Sequence, residues 1–104
     1  MLQESNGIEI EKWEEKERDM ALFFYTPLCG TCKIGERMLE VIQTTLPEVF
    51  IYKVNINEYT KTAHQWKIES VPCLVILKKG KLVKKIYAMH SVTYLFATIK
   101  EELL

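Results

Sequence analysis

The chain has 104 residues, enough for one domain with its own hydrophobic core and too few for two, so we expect a single domain over 1–104. Its 14 basic residues balance its 14 acidic ones, and this zero net charge points to no nucleic-acid partner. Apolar residues make up 48% of the chain. None of them forms a run of about 20, which excludes a membrane-spanning helix and predicts a globular protein with no membrane partner.

The N-terminus and the cysteines predict the cellular compartment. The opening stretch, MLQESNGIEIEKWEEKE, is acidic where a signal peptide needs a basic region and an apolar core, so we expect a cytoplasmic protein. Three cysteines are an odd number, which disfavours a full structural disulfide framework. In a reducing cytosol, a close cysteine pair is more often catalytic or metal-binding.

The first half of the chain predicts a surface helix, a buried strand and an amphipathic helix. Apolar residues stand at helical spacing among charges over Ile8–Glu17, after a short strand near Leu2. The apolar run Met20–Tyr25 is typical of a strand buried on both faces. A longer helix is predicted over Thr31–Thr45, with an apolar face made of Ile34, Met38, Leu39, Val41 and Ile42.

The second half predicts three strands and two helices. Asn57 or Thr60 is the candidate cap of the first helix, and Ser91 is that of the second. The pair Lys79-Gly80 makes a tight turn, so the last two strands form an antiparallel hairpin. This order predicts an α/β fold, a mixed sheet of four to five strands with helices on both faces. The predicted strands are Val49–Asn55, Pro72–Leu77 and Leu82–Tyr87, and the helices are Asn57–Trp66 and Ser91–Leu103.

The hairpin is rich in basic residues. Five lysines lie between Lys78 and Lys85, without interleaved aromatic residues. We interpret them as a solvated edge that resists strand pairing, and not as a nucleic-acid surface.

Two cysteines stand three positions apart in FYTPLCGTCK, between the first buried strand and the long helix. At the mouth of the helix, Cys29 would face unpaired N–H groups and the positive end of the helix dipole, which both favour a thiolate. Cys29 is therefore the predicted nucleophile of disulfide exchange. Cys32, one turn inside the helix, is predicted to resolve the mixed disulfide. Gly30 supplies the bend and Lys33 adds positive charge.

Two other interpretations of this pair stay open. The cysteines could be small packing residues, or half of a metal site. A zinc site needs two more ligands, and the candidates Cys73, His64 and His90 form no second close pair.

The stretch SVPCL is the second notable segment. A proline that opens a strand cannot donate to the ladder, so Pro72 must lie at the strand's start. A cis bond there would expose the Val71 backbone as a strand edge for an extended substrate. The sequence leaves the isomer open.

The chain resembles the thioredoxins and thioredoxin-like proteins over nearly its whole length. The resemblance rests on three stretches that occur in the same order, FYTPLCGTCK, KVNIN and SVPCLVILKKGKLV. The resemblance implies the thioredoxin fold, with Pro72 cis beside the cysteine pair. It implies exchange of protein disulfides through Cys29 and Cys32, a monomer without bound cofactor or metal, and reduction by an NADPH-dependent reductase. A non-catalytic peptide-binding domain is the alternative. The implied substrate groove comprises Tyr25, Leu28, Val71, Pro72, Cys73 and Ala88.

The chain departs from the family pattern around the cysteine pair. Thr31 replaces a proline, which implies a more oxidising couple and a weaker reductant. Phe23 stands where the family has a buried aspartate that assists proton removal from the resolving cysteine. The neighbouring lysine survives as Lys53, a candidate modulator of the Cys32 pKa. Glu36, one helical turn after Cys32, is a candidate substitute base, although such a glutamate is more often solvated helix surface.

Two further departures concern small residues. Cys73 stands where the family has a threonine. We interpret it as a strand residue facing the core, with a third redox thiol or a metal ligand beside Cys29 and Cys32 as alternatives. Gly35 lies inside the predicted helix, where glycine costs about 1 kcal/mol relative to alanine.

Overall fold

The structure is a computed structural model that describes residues 2–5, 12 and 17–104. Apart from 12 and 17, the surface helix predicted over 8–17 lies outside the described residues. The strands are β1 (Gln3–Glu4), β2 (Met20–Tyr25), β3 (Ile51–Asn55), β4 (Cys73–Lys78) and β5 (Lys81–Ile86). The helices are α1 (Gly30–Thr45), α2 (Thr60–Gln65) and α3 (Val92–Leu103).

The strands form one mixed sheet in the order β1-β3-β2-β4-β5. β1, β3 and β2 run parallel, whereas β4 is antiparallel to both β2 and β5. Within this sheet Phe23 on β2 stands opposite Lys53 on β3 and Leu74 on β4. The predicted α/β fold is confirmed, and β2 lies at the centre of the sheet with the cysteine pair just beyond its end.

Successive side chains of β2 point to opposite faces, and each face has its own core. Ala21 and Phe23 belong to the cluster under α1 and α3, whereas Leu22 and Phe24 belong to the cluster that includes Tyr59. Burial on both faces explains why this strand is a continuous apolar run. Within the described ranges, no helix has the length and apolar character that a membrane crossing would require.

The apolar face of α1 differs from the predicted one. Ile34 and Val41 are 56% and 54% exposed. The buried positions are Cys32, Gly35, Leu39 and Ile42. The helix is turned so that Gly35 faces the sheet, because the side chain of Phe23 occupies the space that a larger residue would need there.

The segment after β3 also corrects the prediction. A single helix over Asn57–Trp66 is replaced by a short 3-10 turn, Ile56–Glu58, and then by α2. The turn is capped by Asn55, whose Oδ1 accepts from the Asn57 N–H at 3.1 Å, so neither predicted cap residue is used. The break falls at Tyr59, which is 4% exposed and anchors the chain to the core. β3 itself begins at Ile51, two residues later than predicted.

The hairpin turn between β4 and β5 is confirmed. Lys79 and Gly80 both adopt positive φ, at 54° and 76°, which is the backbone that two-residue hairpin turns require. The segment before β2 holds this turn, because Asp19 Oδ1 accepts from the Lys79 N–H at 2.7 Å and the Arg18 carbonyl accepts from the Gly80 N–H at 3.0 Å.

Ser91 caps α3 as predicted, since its Oγ accepts from the Tyr94 N–H at 3.1 Å. We expect Ser91→Ala to lower the free energy of unfolding by about 1 kcal/mol, because one N–H of the first helical turn loses its acceptor. Urea denaturation measures this change. Ser91→Asp is the matched control, since it keeps an acceptor and should retain most of the stability. Equal stability of the alanine variant and the parent would contradict the prediction.

Candidate active site

Cys29 is the N-cap of α1. Its backbone is extended, and its Sγ accepts a hydrogen bond from the Cys32 N–H at 3.1 Å. The Thr31 hydroxyl lies 3.4 Å from the same sulfur. The first turn of the helix carries no acidic residue. The sulfur therefore lies at the positive end of the helix dipole, with donors aimed at it, which stabilises a thiolate.

The two cysteines of the pair are joined as a disulfide, with their Cα atoms 5.2 Å apart. Cys29 is half-buried, whereas Cys32 is only 2% exposed. A molecule arriving from solvent therefore reaches the sulfur of Cys29 first. Leu28, which precedes it, is 97% exposed and forms an apolar rim beside the disulfide.

A groove of about 370 Å³ opens beside the pair, between the first turns of α1 and the segments around Pro72 and His90. The Val71–Pro72 peptide bond is cis, and both residues are half-buried. Ala88 is exposed, next to the groove. The groove is lined by Thr31, Ile34, Gly35, Met38, Pro72, Tyr87, Met89 and His90.

Sequence reasoning missed the contribution of α1 and of His90 to this groove. Ile34 and Met38 follow Thr31 at helical spacing and form one stripe with it, whereas the sequence predicts Ile34 and Met38 on the apolar face of the helix. The spacing therefore indicated that these residues share one face of the helix, but it did not indicate that this face lines the groove. His90 stacks edge-on against Tyr94 at a centroid distance of 4.8 Å, whereas His64 is exposed and belongs to neither site.

A second cavity, of about 220 Å³, lies on the other side of the disulfide. It contains Tyr25, which the resemblance had placed in the substrate groove. This difference follows from β2, since Tyr25 shares the face of Phe23 and projects toward β3 and α1. The cavity is lined by Tyr25, Thr26, Pro27, Cys32, Lys33, Glu36 and Lys53.

Lys53 and Glu36 form an ion pair in this cavity, with Nζ 3.3 Å from Oε1. Their side chains are 16% and 23% exposed. The Lys53 ammonium also lies 5.6 Å from the centre of the Tyr25 ring, and the Tyr25 hydroxyl donates to the Glu4 carboxylate. Burial, and then this hydrogen bond, raise the pKa of Tyr25 far above its usual value, so its hydroxyl keeps its proton.

Cys73 is a packing residue. Its side chain is fully buried in the cluster on the face of the sheet opposite to Cys32. Burial raises the pKa of its thiol to about 11, although a hydrogen bond with Tyr87 and the charge of Lys85 act in the other direction. No group of three metal-ligating side chains occurs in the described part of the chain. The alternatives of a third redox thiol and of a three-cysteine metal site find no support in this position, and Cys73 does not line the groove.

Comparison with known proteins agrees with this geometry. The family model described as thioredoxin matches residues 8–101. The chain is 46% identical over 81 residues to the thioredoxin-like protein YusE of Bacillus subtilis, across 78% of this chain and 76% of that protein. The oxidised mitochondrial thioredoxin 3 of Saccharomyces cerevisiae superposes with a TM-score of 0.81 at 25% identity, over 97% and 94% of the two chains. The Fasciola hepatica thioredoxin superposes equally well, at 0.81 and 26% identity, over 98% and 99%.

Proposed function

Since this chain belongs to the thioredoxin family, we propose that residues 1–104 form a single cytoplasmic domain in which Cys29 attacks substrate disulfides and Cys32 resolves them. The chain is a thiol-disulfide oxidoreductase that acts on protein disulfides. Its redox-active group is the Cys29–Cys32 disulfide.

The position of the Cys29 sulfur supports Cys29 as the attacking cysteine and Cys32 as the resolving one. This sulfur is the accessible one of the pair, and it accepts a hydrogen bond from the Cys32 N–H at the start of α1. A half-exposed thiolate at a helix N-terminus is the nucleophile that disulfide exchange needs. Cys32 is joined to Cys29 and only 2% exposed, and this geometry favours resolution over attack on a second substrate.

The reaction runs in two exchanges. The Cys29 thiolate attacks one sulfur of the substrate disulfide, forming a mixed disulfide and releasing the other substrate sulfur as a thiolate. The Cys32 thiolate then attacks Cys29, so that the protein disulfide forms and the second substrate sulfur leaves. Two electrons have passed to the substrate, and both of its sulfurs take up protons from water.

Thr31 favours a more oxidising couple than a proline at this position would. Its hydroxyl lies 3.4 Å from the Cys29 sulfur and can donate to the thiolate of the reduced protein. A donor that stabilises the thiolate stabilises the reduced form and so raises the reduction potential. We therefore expect a weaker reductant than family members with proline here.

The partners follow from the same chemistry. An oxidised Cys29–Cys32 pair must be reduced again by a thioredoxin-type reductase, and we infer that this is an NADPH-dependent flavoenzyme. Dithiol exchange requires no bound cofactor or metal, and we expect a monomer. The groove beside Pro72, together with Leu28, offers an apolar surface next to the attacked sulfur for an extended segment of the substrate protein.

A redox titration tests this function. The purified protein is equilibrated in thiol-disulfide buffers of stepped potential, alkylated and mapped by mass spectrometry. We expect one two-electron transition confined to Cys29 and Cys32. Cys73 should resist alkylation until the protein is unfolded, because with a thiol pKa of about 11 only about one molecule in 10³ carries the thiolate at pH 8. Absence of a reversible transition at the pair would refute the proposed function.

A further inference from the structure

The resolving step needs a proton acceptor near Cys32, and the central strand does not supply one at Phe23. If the proposed function holds, Cys32 has to become a thiolate before it attacks Cys29. Cys32 is 2% exposed, and burial opposes the charged form of a thiol. Phe23 on the central strand shares the buried cluster of Cys32, is fully buried and carries no titratable group.

Glu36 is the carboxylate placed to fill this role. It follows Cys32 by four residues on α1, and side chains at this spacing lie on one face of a helix. Both residues line the cavity of about 220 Å³ behind the disulfide. At about 30 Å³ per molecule in liquid water, such a cavity has room for several waters between the two groups.

Lys53 positions this carboxylate. Its ammonium lies 3.3 Å from Glu36 Oε1, and this ion pair holds the carboxylate at the edge of the cavity. Lys53 is itself held from the other side by the face of the Tyr25 ring. Glu36 is therefore kept as an acceptor beside the cavity, without being drawn away into bulk solvent.

We propose that Glu36 takes the proton of the Cys32 thiol through water in this cavity, with Lys53 as its positioning residue. The Cys32 S–H bond breaks, its proton passes to Glu36, and its electron pair forms the new bond to Cys29 Sγ. The bond between Cys29 and the substrate sulfur breaks, and that sulfur leaves as a thiolate. Glu36, which is 23% exposed, returns the proton to solvent.

Charged and titratable groups face this site from every element around it. On α1 these are Lys33 and Glu36 themselves, and β2 contributes Tyr25. β3 contributes Lys53, while the carboxylates of Glu4 on β1 and Glu58 in the 3-10 turn act on Tyr25. Since Tyr25 stays protonated, Glu36 is the residue lining this cavity that supplies a carboxylate.

The direction in which Glu36→Gln changes the resolving rate distinguishes a proton acceptor from a carboxylate that acts only through its charge. In Glu36→Gln, Lys53 loses its counter-ion, and a free cation beside Cys32 would favour the thiolate and accelerate resolution at low pH. Loss of a proton acceptor has the opposite effect, since general acid-base catalysis is typically worth about 10² to 10⁴ in rate. Because cavity water partly replaces the carboxylate, we expect a decrease of about tenfold.

The experiment follows both exchanges with dithiobis(nitrobenzoate) as the substrate disulfide. The reduced protein releases one coloured thiolate when Cys29 attacks and a second when Cys32 resolves. Stopped-flow absorbance therefore gives both rate constants, which are measured from pH 5 to 9. Glu40→Gln is the matched control, since it makes the same change one turn further along α1 and lines neither cavity. Glu36→Asp tests whether a carboxylate restores the step.

In Glu36→Gln, the second release should be about tenfold slower at pH 7. The first release should stay within about twofold, as in Glu40→Gln, and Glu36→Asp should recover part of the rate. A second release that is unchanged or faster in Glu36→Gln overturns the proposal. Thermal unfolding checks the fold, which should persist because a partly exposed ion pair contributes at most about 1 kcal/mol.

A second measurement does not depend on turnover. In Cys29→Ser, the pH dependence of alkylation reports the pKa of Cys32 directly, and adding Glu36→Gln should lower that pKa, because Lys53 loses its counter-ion while the resolving step still slows. An unchanged pKa would show that the ion pair does not act on Cys32, and it would overturn the proposal. Failure of the proposed function has a different signature, since neither coloured thiolate would then be released by the parent protein.

Discussion

Replacing Cys29 by serine is expected to abolish disulfide reduction, whereas replacing Cys32 by serine is expected to trap the substrate as a mixed disulfide. A serine hydroxyl at the mouth of α1 stays protonated at neutral pH, so no nucleophile forms there. We expect turnover to fall by at least about 10³-fold, the scale observed when a nucleophile is removed. In Cys32→Ser the Cys29 sulfur remains accessible and still accepts the helix N–H, so the first exchange proceeds.

Reduction of a disulfide-bonded protein, followed by turbidity and by non-reducing gels, measures both variants. Cys73→Ala is the matched control, because it removes a thiol that lies on the other face of the sheet and should leave turnover within about twofold of the parent. Full turnover in Cys29→Ser would show that another group performs the attack. Turnover without a trapped intermediate in Cys32→Ser would show that Cys32 is not the resolving residue.

Replacing Phe23 by alanine is expected to lower the free energy of unfolding by about 3–5 kcal/mol, the usual cost of removing a fully buried phenylalanine side chain. The ring lies at the centre of the core beneath α1, with no exposed surface. Its edge also defines how closely the helix approaches the sheet. A Cβ built on Gly35 would lie 3.0 Å from Phe23 Cζ and 3.1 Å from Cε1.

This contact predicts that the effect of Gly35→Ala changes sign with the residue at 23. In the parent protein, overpacking against the ring costs about 1–3 kcal/mol and outweighs the helix propensity of alanine, which gains about 1 kcal/mol. In Phe23→Ala the ring is absent, so the same substitution should stabilise the protein. Urea denaturation of the four proteins in a double-mutant cycle measures the coupling.

Gly30→Ala is the control for this cycle, since nothing lies within 4 Å of a Cβ built at Gly30. We expect it to change stability by no more than about 0.5 kcal/mol in either background. Equal effects of Gly35→Ala in the presence and absence of the Phe23 ring would contradict the prediction. Agreement would show that the glycine at 35 accommodates the phenylalanine ring at 23.

Local sequence determined most of the elements and the reacting pair. The apolar run Met20–Tyr25, the turn at Lys79-Gly80 and the cap at Ser91 were each predictable, because a few adjacent residues decide them through burial, backbone angles or a single hydrogen bond. The pair Cys29 and Cys32 belongs with these features. Its chemistry depends on a strand-to-helix junction that the sequence around it already specifies.

Only the tertiary structure decided which way several of these residues point. β4 is apolar on both faces, so its pattern contains no signal for the face that Cys73 occupies. The direction of α1 likewise depends on the contact between Gly35 and Phe23, which moves Ile34 out of the core and into the groove. The ion pair of Glu36 and Lys53 joins a helix to a strand. Each of its members could be named from the sequence, but their meeting beside Cys32 required the packing of distant segments, because side-chain distances across a fold are set by tertiary contacts and not by sequence spacing.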